Sequence, residues 1–179
     1  MRDTTSDATH HDAGSDAVVD ERDTRYLRQA IALAERAKAE GRHPFGALVV
    51  AADGTILAEA GNNALPPAGD PTQHAERLAV ASAAQRHPRE TLAGATLYTS
   101  AEPCAMCAGA IYWCHVGRVV YAMSERHLLE LTGSHPENPT LSLPCRTVFA
   151  SGQKQVEVIG PVPGLSDEAA QAHLGFWSH

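Results

Sequence analysis

Two short segments hold the residues best suited to chemistry, His74-Ala75-Glu76 and Pro103-Cys104-Ala105-Met106-Cys107. One imidazole and two thiolates form a ligand set typical of a catalytic zinc ion, which keeps its fourth position for water. Zinc lowers the pKa of bound water from about 15.7 to about 7, so hydroxide is available at neutral pH. Glu76 is the predicted catalytic residue, because a carboxylate beside this water can carry its proton. The pattern predicts metal-assisted hydrolysis.

The predicted zinc ligands are His74, Cys104 and Cys107, each near the start of a helix. Residues i and i+3 of a helix share one face, so Cys104 and Cys107 can bind one ion. Their helix is predicted to begin at Pro103, where the missing N–H costs little, and to end near Cys114. The positive end of that helix stabilises thiolates. A second helix over about 74–85 brings His74 to the same crevice.

The cysteines also allow other interpretations. The chain has four cysteines, an even number that could form two disulfides. A structural zinc site would need a fourth ligand. Cys114 lies about 10 Å along the helix from Cys107 and is too far away, whereas spacing does not exclude Cys145. A redox CxxC pair would leave His74 and Glu76 unexplained. A zinc-stabilised binding module without activity is the alternative from another functional class.

The hydrophobic pattern predicts an α/β domain with helices on both faces of a mixed sheet. Two apolar segments flank Asp53-Gly54, and this arrangement is the strongest short-range signal of a β-hairpin. The predicted strands cover residues 46–50, 55–58, 96–99, 119–122 and 156–159. Outside the two helices above, the predicted helices cover residues 24–40, 125–131 and 167–174.

Charge and composition separate a tail from the domain. Residues 1–23 carry two arginines against seven acidic residues, so they hold −5 of the formal net charge of −7. Residues 1–22 are predicted to be a disordered acidic tail, and 23–179 a single domain. The basic residues are scattered along the chain, which weighs against a nucleic-acid partner. No apolar segment is long enough for a membrane span or a signal peptide, which predicts a cytoplasmic protein.

Residues 44–124 resemble the cytidine deaminase-like superfamily, in the branch of guanine, cytosine and tRNA adenosine deaminases. The matching motifs are Pro44-Phe45-Gly46-Ala47, Gly61-Asn62-Asn63, Asp70-Pro71-Thr72-Gln73-His74-Ala75-Glu76, and the segment 97–113. The resemblance implies a three-layer α/β/α sandwich with a five-stranded sheet, a zinc cofactor, and usually a homodimer. It also implies hydrolytic deamination of an exocyclic amine, with release of ammonia.

The resemblance is nearest to the guanine deaminases, because Ala110-Ile111-Tyr112-Trp113 matches them. The predicted substrate is therefore a small nucleobase, guanine or a related aminopurine or aminopyrimidine. A tRNA adenosine deaminase is one alternative, and a cytosine, isocytosine or aminotriazine deaminase is another.

Four substrate-binding residues are implied by the resemblance. Asn63 lies eleven residues before the ligand histidine, where the family places an asparagine that binds the base; its neighbour Asn62 is the alternative register. Phe45 matches an aromatic residue of the ring pocket. The backbone amide near Ala75 is expected to hold the substrate, and Trp113 to contact it.

The segment after Ser124 is the part that matches least. Guanine deaminases carry an acidic residue there that reads the purine edge, and neither Glu130 nor Glu137 aligns cleanly with it. The loop over 133–139 is a candidate specificity loop. Phe176 and Trp177 are candidates for a C-terminal aromatic closure exchanged between subunits.

Overall fold

A mixed five-stranded sheet lies at the centre of the computed structural model, which describes residues 19–133 and 135–177. The strand order is β2-β1-β3-β4-β5; β1 is antiparallel to β2 and β3, and β4 is parallel to β3 and β5. This arrangement confirms the predicted mixed sheet. The strands are β1 (Gly46–Val50), β2 (Ile56–Gly61), β3 (Thr96–Ala101), β4 (Arg118–Met123) and β5 (Glu157–Ile159).

Seven helices are present in the described part of the chain. Two of them, α3 and α6, were not predicted, because five or six residues are too few to show helical periodicity. The helices are α1 (Glu21–Ala39), α2 (Ala75–Arg86), α3 (Arg89–Ala93), α4 (Ala105–Trp113), α5 (Glu125–Thr132), α6 (Cys145–Ala150) and α7 (Leu165–Gln171).

Two hydrophobic clusters, one on each face of the sheet, create the three layers. Along β1, Ala47 and Val49 belong to the cluster that contains α2 and α4 residues, whereas Leu48 and Val50 belong to the cluster that contains α1 residues. Successive side chains of a strand point to opposite faces, so a strand covered on both sides is apolar throughout. The predicted α/β/α sandwich is confirmed.

The first helix, α1, begins earlier than predicted. Asp20 is the N-cap residue, and its side chain accepts a hydrogen bond from the Asp23 N–H at 2.7 Å. α1 thus begins at Glu21, three residues before the predicted start of this helix, and the division into a tail over 1–22 and a domain over 23–179 stays a prediction. Residues 1–18 of the predicted tail lie outside the described residues. Within the described ranges, no helix combines the length and apolar character that a membrane crossing requires.

Asp23 joins α1 to two strands of the sheet. Its buried carboxylate accepts hydrogen bonds from the Tyr98 hydroxyl at 2.8 Å and from both terminal nitrogens of Arg118 at 2.8 and 2.7 Å. Burial alone would raise the pKa of Asp23, but the bonds from Arg118 and Tyr98 lower it below the ordinary value of 3.8. The ionised form of Asp23 is thus stabilised by folding.

Replacing Asp23 with Asn should lower the free energy of unfolding at pH 7 by about 3 kcal/mol, the lower end for breaking a buried ion pair. Because the pKa of Asp23 is depressed in the folded state, its contribution is present above pH 3.8 and is lost as the pH falls through the folded value. Denaturant unfolding from pH 7 to pH 3 should show the difference narrowing in acid. The exposed Arg28–Glu168 pair supplies the control: Glu168→Gln should change stability by less than about 1 kcal/mol. Equal losses in both variants would contradict the assignment.

Candidate active site

The three predicted metal ligands converge where α2 and α4 begin. His74 is the N-cap residue of α2, and Cys104 is the N-cap residue of α4. The His74 Nδ1 lies 3.6 Å from the Cys104 Sγ, and the ligand atoms of His74, Cys104 and Cys107 all lie within 4.8 Å of one another. The helix thus starts at Ala105 rather than at the predicted Pro103, and the thiols remain on one side.

A turn of the chain places His74 at the start of its helix. The Asp70 carboxylate accepts hydrogen bonds from the Thr72 N–H at 2.8 Å and from the Gln73 side-chain amide at 2.9 Å. The His74 N–H donates to the Thr72 carbonyl at 2.9 Å. Asp, Pro and Thr favour such local turns because short side chains bond the nearby backbone and proline restricts φ.

The two thiols differ in acidity. Hydrogen bonds from Cys107 and His74 lower the pKa of Cys104 to about 4, whereas the hydrogen bond to Cys104 and burial raise the pKa of Cys107 well above its usual value. The hydrogen bond to Cys104 raises the pKa of His74. Cys104 therefore ionises readily, whereas Cys107 keeps its proton. Binding of a divalent cation would deprotonate Cys107 as well.

The donor set fits zinc. With Zn–S of 2.3 Å and Zn–N of 2.0 Å, tetrahedral ligation separates N from S by about 3.5 Å, close to the 3.6 Å between His74 and Cys104. These three residues form the one candidate metal cluster among residues 19–133 and 135–177. Cys114 lies outside it, as helix rise predicts. Cys145, left open by spacing, also lies outside; it is buried, and its N–H donates to the Glu102 carboxylate at 3.0 Å.

Glu76 lies in the first turn of α2 with only 5% of its surface exposed. Burial raises the pKa of Glu76 to about 7. A carboxyl group with such a pKa can take and return a proton near neutral pH. It is not part of the three-residue ligand cluster, so a zinc ion held there would keep a fourth position for water.

A cavity of about 230 Å³ opens beside the ligands. It is smaller than the pockets of about 300–1,000 Å³ that hold drug-sized ligands. Residues 125–141 contribute nearly half of its wall. The lining residues are His43, Phe45, Asn62, Pro71, His74, Glu76, Glu102, Cys104, Glu125, Leu128, Glu137, Asn138, Pro139, Thr140 and Leu141.

The two neighbouring asparagines have different positions. Asn62 lines the cavity, its Oδ1 accepts the Ala64 N–H at 2.8 Å, and its amide nitrogen has no protein partner among the described residues. Asn63 does not line the cavity; its amide donates to the Ala68 carbonyl at 3.3 Å and to the Gln73 side chain. The structure therefore brings Asn62, the alternative register, to the site, and Asn63 holds the loop together.

Of the three other predicted substrate-binding residues, one lines the cavity and two do not. Phe45 lines the cavity. Ala75 is fully buried in the first turn of α2. Trp113 is 75% exposed at the end of α4 and packs on Tyr112, with ring centroids 5.7 Å apart. It does not reach the cavity of its own chain, because the helix carries it away from the ligands. The homodimer implied by the resemblance stays a prediction.

The C-terminal aromatic residues pack against two residues that line the cavity, His43 and Phe45. The Trp177 ring centroid lies 5.2 Å from that of His43 and 6.4 Å from that of Phe45. Phe176 lies 5.9 Å from His43, whose Nε2 lies 3.2 Å from the Glu137 carboxylate. These contacts lie within one chain. Exchange in an assembly stays a prediction.

Two further carboxylates at the site were not predicted. Glu102 precedes the Pro-Cys motif, and its two oxygens accept the N–H groups of Glu125 at 3.2 Å and Cys145 at 3.0 Å. Burial and the charge of Cys104 raise the pKa of Glu125 to about 7. Glu125 lies two residues after the end of β4, whose neighbours β3 and β5 are parallel to it. Ligands of α/β sheets bind outside the carboxyl ends of such strands, which is the signal that could have indicated this residue.

The segment that carries the zinc ligands matches a known protein family. Residues 20–123 match the model of the cytidine and deoxycytidylate deaminase zinc-binding region, more than half of the chain. The chain belongs to this family. It is thus a zinc-dependent deaminase whose ligands are His74, Cys104 and Cys107, and the alternative of a binding module without activity is set aside.

Three relatives illustrate the range of the family. A probable cytosine deaminase of Schizosaccharomyces pombe is 40% identical over 91% of this deaminase and 97% of its own length. The guanine deaminase of Bacillus subtilis is 45% identical, over 54% of this chain and 62% of its own. A solved guanine deaminase of Nitrosomonas europaea is 24% identical, with a TM-score of 0.69 over 90% of this chain and 87% of its own, and shows the shared fold. The similarity thus favours the cytosine alternative over the guanine interpretation.

Proposed function

We propose that this deaminase hydrolyses the exocyclic amine of cytosine, or of a closely related aminopyrimidine base, to a carbonyl and ammonia. The observation that carries the proposal is the origin of the cavity wall, nearly half of which comes from residues 125–141. The probable cytosine deaminase is similar over 91% of the chain, whereas the guanine deaminase of B. subtilis is similar over 54%. Because residues 125–141 line the cavity, the relative that is similar over more of the chain is the better guide to the substrate.

The residues of the site suit the proposed reaction. A zinc ion held by His74, Cys104 and Cys107 would lower the pKa of water toward 7 and so make hydroxide available. Glu76 would take one proton from water and pass it to the ring nitrogen beside the carbon to which hydroxide adds. Glu76 would then carry the remaining proton of the added hydroxyl group to the amine, so that the carbon–nitrogen bond breaks, ammonia leaves and the carbonyl forms. Asn62 offers an amide N–H for a carbonyl or ring nitrogen of the base. Phe45 provides an apolar wall for the ring.

The charge of the cavity supports a neutral base over tRNA. Four carboxyl groups line the cavity, from Glu76, Glu102, Glu125 and Glu137. A polynucleotide-binding surface needs lysine and arginine side chains that neutralise phosphates, and none lines this cavity. The volume of about 230 Å³ likewise suits a free nucleobase.

Ammonia release from a panel of amines tests the proposal. We expect zinc-loaded protein to turn over cytosine with kcat/KM about 100-fold above that for guanine, because a site formed for one base leaves its polar groups unpaired with another. The panel includes isocytosine, an aminotriazine, cytidine and a tRNA anticodon stem–loop with adenosine at the wobble position. Faster turnover of guanine, or of the stem–loop, would replace the proposal with the corresponding alternative.

A further inference from the structure

A second pocket lies at the opposite end of α4 from the zinc ligands. Cys104 and Cys107 lie at the start of this helix, whereas His115 lies two residues beyond its end. The α4-end pocket, with Arg89, His115 and Lys154 in its wall, has a volume of about 190 Å³. Its other lining residues are uncharged, and no acidic side chain of the described residues lines it. The proposed reaction makes no use of this pocket.

Close packing brings α3 and the segment after α4 to the same pocket. A Cβ atom on Gly117 would lie 2.1 Å from the Ala93 carbonyl oxygen, so glycine permits this approach. α3, which begins at Arg89, therefore packs against the segment that carries His115. Within the described ranges, His115 is the one residue other than glycine with a positive φ, 65°. A side chain held in this left-handed conformation depends on surrounding contacts to keep it there.

Lys154 supplies the contact that orients His115. Its ammonium group donates to the His115 Nδ1 at 2.8 Å and to the Tyr112 carbonyl, and lies 4.0 Å from the centroid of the Tyr112 ring. Because Nδ1 accepts a hydrogen bond, the neutral imidazole carries its proton on Nε2. No group of the described residues accepts this Nε2–H. It is therefore available to donate to a ligand.

The positive charges of the α4-end pocket have no acidic partner. Neither Arg89 nor Lys154 forms an ion pair within residues 19–133 and 135–177. Burial and the positive charges of Lys154 and Arg89 lower the pKa of His115. The three groups are thus close enough to repel one another when His115 is protonated, and a bound anion would offset this repulsion.

A lysine at this position can also serve only to stabilise the end of a helix. The bond from Lys154 to the Tyr112 carbonyl, in the last turn of α4, fits that role. The role does not account for Arg89, which belongs to another helix, or for the free Nε2–H of His115. A guanidinium group, an imidazole N–H and an ammonium group around one concave surface are a donor set suited to an oxyanion.

We infer that the α4-end pocket binds a phosphate group, either as free phosphate or as part of a nucleotide. The Arg89 guanidinium donates two N–H groups to phosphate oxygens, the His115 Nε2–H donates a third, and Lys154 contributes charge. Lys154 and His115 are held by their own contacts before the ligand arrives, which reduces the entropy lost on binding. The pocket is separate from the zinc cavity, so the inference does not depend on which base is deaminated.

Calorimetric titration of the zinc-loaded protein with inorganic phosphate tests the inference, with chloride keeping the ionic strength constant. We expect one phosphate to bind with a Kd on the order of 1 mM, which two or three hydrogen bonds between charged groups can supply. Arg89→Met should raise this Kd about 10-fold. Arg36→Met removes an equally exposed arginine from the last turn of α1, and should stay within about twofold of the wild type.

A second variant separates a directed hydrogen bond from general attraction by charge. Asparagine tolerates a positive φ, so His115→Asn keeps the backbone and removes the Nε2–H without changing the charge of the neutral side chain. It should also raise the Kd about 10-fold. The Tm of each variant is measured without phosphate to confirm that it is folded.

Cytidine monophosphate and cytidine distinguish the two sources of the phosphate group. Tighter binding of the nucleotide than of phosphate, with no competition from cytidine, would assign the pocket to nucleotides, whereas equal binding would assign it to free phosphate. Phosphate held at the zinc centre would bind all three variants equally, and this result would overturn the inference. Equal weakening in the Arg89 and Arg36 variants, or no binding of phosphate or nucleotide to the wild type, would overturn it too.

Discussion

Replacing Glu76 with Gln is expected to lower kcat by a factor of about 10² to 10⁴, the usual contribution of a general acid–base group. The amide keeps the shape of the side chain but cannot take a proton from water. Glu76 lies outside the ligand cluster, so zinc content should stay at the wild-type level. Steady-state ammonia release and metal analysis of the same preparations measure the two quantities. Loss of turnover with zinc retained would separate proton transfer from metal binding.

A first-turn carboxylate of another helix provides the control for Glu76. Glu90 is exposed in the first turn of α3, so Glu90→Gln removes a similar interaction with a helix end and nothing from the cavity. It should leave kcat unchanged and cost less than about 1 kcal/mol of stability. If Glu76→Gln retained most of the wild-type kcat, Glu76 would only stabilise its helix, and the proposed proton transfers would need another residue.

The zinc ligands could be predicted from the sequence because their relation is local. Cys104 and Cys107 are i and i+3, and any helix or helix start brings such positions together. The HxE segment adds a third ligand and a proton carrier at a helix start. The sheet could be predicted for a similar reason, since β1, β3 and β4 are apolar runs bounded by turn residues. Periodicity and turn chemistry are properties of short segments.

The residues that line the cavity could not be predicted in this way, because their positions depend on contacts between distant parts of the chain. Asn62 and Asn63 have the same chemistry, and only the path of the loop decides which amide faces the cavity. Glu102 orders α5 and α6 through backbone bonds to Glu125 and Cys145, contacts between residues 23 and 43 positions apart. Trp113 matched a family pattern, yet the direction of α4 takes it to the surface. Helix direction and loop path are set by packing.

Removing the metal is expected to abolish turnover while the fold persists. The two hydrophobic clusters are built from strand and helix side chains on both faces of the sheet, and the site adds only local bonds at two helix starts. Chelator-treated protein should therefore keep its far-ultraviolet circular dichroism and lose ammonia release, and added Zn²⁺ should restore activity. Binding should weaken as the pH falls, because His74 and both thiols must lose their protons to ligate zinc.

Two cysteines of the same helix region make this test specific. Cys104→Ala removes a ligand and should lower both the zinc content and kcat to background, because two remaining protein ligands are fewer than a catalytic site uses. Cys114→Ala removes a half-buried thiol at the end of α4 that lies outside the cluster, and should leave both quantities at wild-type levels. Zinc-free protein that still released ammonia would contradict the metal's role, whereas loss of zinc in the Cys114 variant would mean that the thiol at the end of α4 takes part in ligation.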